Sequence, residues 1–233
     1  MNDYLGEDLI LATGAPGSRW SGSIRAIQSS IDINTTDDSI NRCYDTGESK
    51  NPIGWHRGAY WGPGHDFGLN FDRLDDLSKD EVVDEFQRPF SEWDSGIKII
   101  KSHWFSYHIP LLREWFPKAK LIAFHMPNDF CFDWWHKVGG WDITYPHYGW
   151  YENDERMRSQ IEIENACIEQ HFTNIKNRSL KEIHNCLGVS LEIWPDEYLD
   201  RWDNKIPVLK EIYKKSTQEL LNTTVYRTPI GII

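Results

Sequence analysis

Three short stretches carry residue types that could do chemistry. The first is Thr13-Gly14-Ala15-Pro16-Gly17-Ser18-Arg19-Trp20-Ser21-Gly22. A glycine turn between a buried strand and a helix aims several backbone N–H groups at one point, where the helix dipole also favours negative charge. Phosphate or sulfate suits such a place; a cation does not. The same residues allow a plainer reading, a tight turn with the helix N-cap at Ser18. The second stretch is Lys101-Ser102-His103, and the third begins at His125. Each follows a short apolar run, and together they offer cations and a base rather than metal ligands.

The turn departs from a Walker A loop. The pattern GxxxxGK[ST] laid from Gly14 puts Arg19 at the second glycine and Trp20 at the lysine, so that only Ser21 matches. Neither later strand ends in the Asp that magnesium binding by a phosphate-loop kinase favours. His56, His65, His136 and His147 have no metal-ligand spacing.

The elements that must position these residues follow from periodicity. Leu9-Ile10-Leu11-Ala12 reads as a buried strand entering the glycine turn, and Trp20, Ile24, Ile27 and Ile31 then recur at helical spacing. From Thr35 to Asp76 periodicity disappears, in a stretch long enough to be functional or mobile. Ser78-Lys79-Asp80-Glu81 has capping-box spacing ahead of Val82, Val83 and Phe86. Ile97, Ile99 and Ile100 form a strand ending at Lys101-Ser102-His103, and Phe105, Ile109, Leu112 and Phe116 share the next helical face. Leu121-Ile122-Ala123-Phe124 is a third strand ending at His125, with a helix after Pro127. Met157, Ile161, Ile168, Phe172 and Ile175 make one long stripe. Ser179 to Glu182 opens a helix that Gly188 closes, and Leu209, Ile212, Tyr213 and Leu220 mark a last one. Alternating strands and helices predict an α/β domain spanning residues 1–233: a three-layer α/β/α arrangement with a central parallel sheet and a helical C-terminal part. In a doubly wound sheet the ligand sits at the carboxyl ends of the strands, where all three stretches fall.

Composition narrows the partners. There are 25 Lys+Arg against 36 Asp+Glu, for a net charge of −11 over 233 residues, with 39% hydrophobic content. That length can bury a real core. The acidic balance argues against nucleic-acid binding, which needs a basic face, but leaves room for one anionic small ligand in a local nest of N–H groups. No apolar run approaches the roughly 20 residues that span a bilayer. The N-terminus lacks the basic flank of a signal peptide, and Cys43, Cys131, Cys167 and Cys186 form no CxxC pair. The expectation is a cytoplasmic protein with reduced thiols and no membrane partner. Twelve tryptophans are a large share: aromatics add core area, and so many in loops also suggest a wall for a bulky or flat ligand. The run from Asp72 to Asp84 reads as a solvated acidic face.

In order along the chain, these residues resemble the P-loop sulfotransferase family. Gly14-Ala15-Pro16-Gly17-Ser18 looks like a variant of that family's phosphosulfate loop, and Lys101-Ser102-His103 matches its K-T/S-H triplet. Pro117-Lys118-Ala119-Lys120 is similar to its P-x-A-K segment. His125-Met126-Pro127-Asn128-Asp129 partly matches R-N/D-P-x-D, and Leu187-Gly188-Val189 resembles F-L-G-x. The likeness runs from about Leu9 to Val189 and implies a P-loop NTPase-like fold.

It also implies sulfuryl transfer from 3′-phosphoadenosine 5′-phosphosulfate (PAPS), leaving 3′-phosphoadenosine 5′-phosphate (PAP), to a hydroxyl or amine, with no metal. His103 would take the acceptor's proton, a task suited to a neutral imidazole near pH 7. Lys101 or Arg19 would stabilise developing charge, backbone N–H groups from Gly17 to Ser21 would hold the 5′-phosphate, and Trp20 would stack on the adenine. The family's loop cation falls on Gly17, with Arg19 two residues later. Its 3′-phosphate Arg and Ser fall on His125 and Asp133, and Arg227 is the one cation in the tail. The acceptor would be a small molecule or a glycan, for which Trp55, Tyr60 and Trp61 offer stacking surfaces. A small-molecule kinase with a degenerate P-loop, and a non-catalytic nucleotide- or anion-binding module on the same fold, are the alternatives.

Overall fold

A computed structural model describes residues 6–37, 59–62, 70–137, 140–142, 149–192 and 227–233. Strand β1, Leu9–Gly14, is buried along its whole length, as an apolar run at the middle of a sheet must be. Strands β2, Lys98–Lys101, and β3, Lys120–Phe124, flank it in parallel, with Leu11 opposite Ile100 on one side and Leu121 on the other. Strands β4, Lys176–Ser179, and β5, Arg227–Ile232, complete an open five-stranded sheet in the order β2-β1-β3-β5-β4. The helices are α1 Trp20–Gln28, α2 Lys79–Gln87, α3 Ile109–Trp115, α4 Asn128–Lys137, α5 Asp154–His171 and α6 Leu180–Leu187.

Strand side chains alternate between two apolar clusters. Leu9, Leu11, Ile100, Leu121 and Ala123 pack with Val82 and Phe86 of α2, Ile109 and Leu112 of α3 and Ile168 of α5. Ile10, Ala12, Ile99, Ile122 and Phe124 pack with Ile24 and Ile27 of α1 and with Leu180, Ile183 and Leu187 of α6. A third cluster ties the glycine turn to α4 and α5 through Ala15, Cys131, Phe132, Met157 and Ile161. The site is therefore wedged between the sheet's carboxyl edge and two helices.

Several local expectations hold. Ser78 and Ser179 each make a full capping box, with Glu81 and Glu182, and Gly188 closes α6 in the left-handed region at φ 64°. Helix α4 begins directly after Pro127. Most carboxylates between Asp72 and Asp84 are exposed. Cys131, Cys167 and Cys186 are free thiols. No described helix is long and apolar enough to cross a membrane. The helix expected around Leu209 to Leu220 lies outside the described residues.

Two expectations are corrected. The sheet is mixed, because β5 runs antiparallel to both β3 and β4, and the C-terminal part is not wholly helical. Strand β4 reads Lys-Asn-Arg-Ser, an edge strand with only Arg178 buried, so no apolar alternation marks it. Strand β5 holds Pro229 and Gly231, residues that argue against a strand. The glycine is required there: a Cβ at Gly231 would lie 2.6 Å from the Phe172 side chain.

Candidate functional site at the carboxyl ends of the parallel strands

The turn between β1 and α1 is built by close approach. A Cβ on Gly14 would lie 2.7 Å from the Ser18 hydroxyl, and one on Gly17, whose φ is +77°, would collide with the Cys131 carbonyl oxygen of α4. Only glycine lets the turn seat against that helix. The Ser18 N–H donates to the Ala15 carbonyl at 3.0 Å, so it serves the turn itself. The N-cap of α1 is Arg19 and not Ser18, and no side chain caps it. The hydroxyl of Ser18 is free of that duty. It is buried and makes no hydrogen bond among the described residues, as is true of Arg19 Nε. Helix α1 opens on this turn, and a helix cannot satisfy its own first-turn N–H groups from within.

Arg19 has φ 63°, the one left-handed non-glycine backbone among the described residues. Its guanidinium carbon lies 3.8 Å from the ring centre of Trp134 and 4.8 Å from that of Phe130, both on α4. Those two rings are nearly parallel and fix the cation beside the turn.

His103 reaches the same place from β2. The Ser102 N–H continues the ladder to the Ala12 carbonyl at 3.0 Å, and the Ser102 hydroxyl caps the short 3₁₀ helix His103–His108. The Thr13 hydroxyl donates to the His103 carbonyl at 3.2 Å. The ring packs edge-on against Trp20, 4.6 Å between centres, with Tyr60 at 6.2 Å. Nδ1 lies 2.5 Å from the Gly14 carbonyl oxygen. A carbonyl can only accept, so Nδ1 carries the proton and Nε2 is the lone-pair nitrogen.

Behind His103 stands a carboxylate that the sequence reading missed. Glu164 of α5 has a fully buried side chain whose Oε2 lies 3.5 Å from His103 Nδ1. Its Oε1 accepts from Gln160 Nε2 at 2.7 Å, and the same amide donates to the Tyr107 hydroxyl at 2.7 Å. Burial pushes the Glu164 carboxyl above its ordinary value, while His103 and Gln160 pull it back. Burial, then the nearby Glu164, raise the Tyr107 phenol far above its ordinary range. A signal for Glu164 was present: Met157, Ile161, Glu164 and Ile168 fall at one apolar helical spacing, and only one of the four is charged.

The other expected residues divide. Lys101 ends β2 opposite Ala12, with only 2% of its surface exposed, so it is embedded rather than open to a ligand. Trp20 is 3% exposed beneath His103 and offers no face for adenine. Trp61 is a core residue against Phe86 and Phe105, which removes it from the acceptor surfaces, and Tyr60 lies by His103. Trp55 lies outside the described residues, as do the side chains of Ser21 and Arg227. His125 Nε2 lies 2.8 Å from Glu169 Oε1 of α5, and Asp133 is exposed on α4. Ala15 and Pro16 are buried in the turn.

His103, Ser18, Arg19 and the α1 terminus are thus brought together, whereas His125 and Asp133 form no cationic pair. Among the described residues no three His, Cys, Asp or Glu side chains cluster as metal ligands would. No protein-family model, curated protein or solved structure matches this chain.

Proposed function

We propose that this chain is a sulfotransferase-like enzyme on a three-layer P-loop fold, moving a sulfuryl group from PAPS to a hydroxyl or amine of a small-molecule or glycan acceptor. The observation that carries the reading is His103, whose Nδ1–H is held by the Gly14 carbonyl beside the anion-favouring turn, leaving Nε2 as a base. The residues fit the 5′ end of such a donor. Among the described residues Ser18 has a buried hydroxyl and Arg19 a buried Nε without hydrogen-bond partners, and α1 offers its N-terminus. They do not fit the 3′-phosphate, since Glu169 engages His125 and Asp133 is an acid.

When bound, the donor supplies a sulfuryl group carried on a phosphate. Ser18 and the first-turn N–H groups of α1 hold that phosphate in place. Arg19 offsets negative charge growing at the turn, the role Lys101 is too embedded to take. His103 Nε2 receives the acceptor's proton, and the Gly14 carbonyl keeps the ring from rotating away as it does so. A kinase reading loses support from strands that end in Lys101 and Phe124 instead of Asp.

Calorimetry with PAP in the presence of a chelator tests the donor. Binding should be measurable, and ligand at a hundred times its Kd should add about 2.7 kcal/mol to stability. No heat and no shift in melting temperature at millimolar PAP would remove the assignment.

A further inference from the structure

We propose that Glu164 is a positioning residue for His103: a buried carboxylate on α5 that holds the imidazole's Nδ1 side and favours the ring's charged form as Nε2 takes a proton. The inference rests on the reading of His103 as a base, and deepens it. Two acceptors converge on one nitrogen, the Gly14 carbonyl at 2.5 Å and Glu164 Oε2 at 3.5 Å. The carbonyl alone suffices to fix the tautomer. The carboxyl adds what a carbonyl cannot, a group able to carry a full negative charge beside an imidazolium in a place from which water is excluded.

A buried carboxylate in an apolar stripe is costly unless something answers it. Gln160 satisfies Oε1, but Oε2 has no hydrogen-bond partner among the described residues and lies 3.5 Å from His103 Nδ1. The arrangement is explained if Oε2 is matched when His103 becomes an imidazolium. The remaining titratable groups around Glu164 do not compete for this role. Tyr107 and Cys131 are both pushed up by burial, Cys131 to about 12, and Cys167 is raised as well, so all three stay neutral. His103 is the group of this cluster left to answer the Glu164 carboxyl.

Coupled titration follows, with protonation steps that belong to the pair. The test is nuclear magnetic resonance of protein labelled with ¹⁵N-histidine and ¹³C-glutamate, read across pH in the full chain. In the parent protein the His103 ring nitrogens and the Glu164 carboxyl carbon should move together through shared midpoints. In Glu164→Gln the His103 midpoint should fall by about one pH unit or more, while the Nδ1–H tautomer persists on Gly14. In Glu164→Asp, which keeps the charge, most of the shift should return. An unchanged His103 midpoint in folded Glu164→Gln overturns the proposal. So does a parent spectrum in which the two groups titrate independently, a result that needs no variant to fold. Where transfer activity is measurable, Glu164→Gln should lower kcat at least tenfold with donor KM unchanged. Absence of all transfer would count against the sulfotransferase reading, whereas the titration judges the pairing.

Discussion

Arg19 adopts a left-handed backbone that costs a non-glycine residue roughly 1–2 kcal/mol. Stacking on Trp134 and Phe130 returns a comparable amount, about 0.5–2 kcal/mol, so the conformation is held by α4. His103 gains its position from a carbonyl, two aromatic rings and a buried carboxylate, and it is 12% exposed. If it is the base, His103→Ala should lower turnover by about 10²–10⁴-fold and leave PAP affinity within a few fold. Parallel loss of melting temperature, affinity and turnover would mark it as structural. The glycine turn and His103 were legible because strand, turn and helix leave plain local patterns. The charge of Glu164 stood out in the apolar stripe of α5, but its partner did not, because that depends on α5 packing against the His103–His108 segment, a long-range contact that no local spacing encodes. Trp61 misled because loop position suggests exposure, and Trp20 because it opens a helix beside the glycine turn; packing buries both.

At the scale of elements, caps and stripes explain most of what was legible. Ser78 and Ser179 start their helices, and Gly188 ends one, where composition indicates. Strands β4 and β5 escaped because one is a polar edge and the other carries Pro and Gly at positions set by neighbours. Helix α6 also carries a pH-sensitive group. His184 is fully buried, its Nδ1 lies 2.7 Å from the Ser190 carbonyl, and Ser190 N–H donates to Asp32 at 2.7 Å. Burial holds this imidazole below its ordinary value, with Ser190, Val189 and Asp32 pulling the other way. The unfolded chain therefore binds a proton that the folded chain resists. The resulting stability is present above pH 6.5, the ordinary imidazole value, and is lost as pH falls through the depressed folded value. Chemical denaturation from pH 7.5 to 5 should show this loss, with a slope of at most about 1.4 kcal/mol per pH unit from this residue. His184→Gln should flatten that part of the curve. His108, depressed by burial in the same direction, remains in both proteins and cancels in the comparison. An identical slope in the variant would remove His184 as the source.

For the whole molecule, a net charge of −11 would meet the proposed anionic donor, whose 5′ end has donors at the turn and whose 3′ end has none among the described residues. Glu169 on His125 and the exposed Asp133 make the expected 3′-phosphate region neutral to acidic. The added phosphate of PAP, compared with adenosine 5′-phosphate, should then gain little and should feel the protein's overall field. That field reaches roughly 30 Å at 0.01 M salt and about 8 Å at 0.15 M. Adenosine 5′-phosphate should therefore bind within about tenfold of PAP, and raising the salt should shift the ratio towards PAP as repulsion is screened. A dedicated basic pocket predicts the reverse. Charge-assisted hydrogen bonds worth ~1.5–3 kcal/mol would favour PAP by more than tenfold at low salt, and that advantage would shrink as salt is added. Competition titrations of both nucleotides at 0.01 and 0.15 M salt separate the two by the sign of the change. A PAP preference that is large at low salt and falls with ionic strength would show that cations elsewhere in the chain build the 3′-phosphate site.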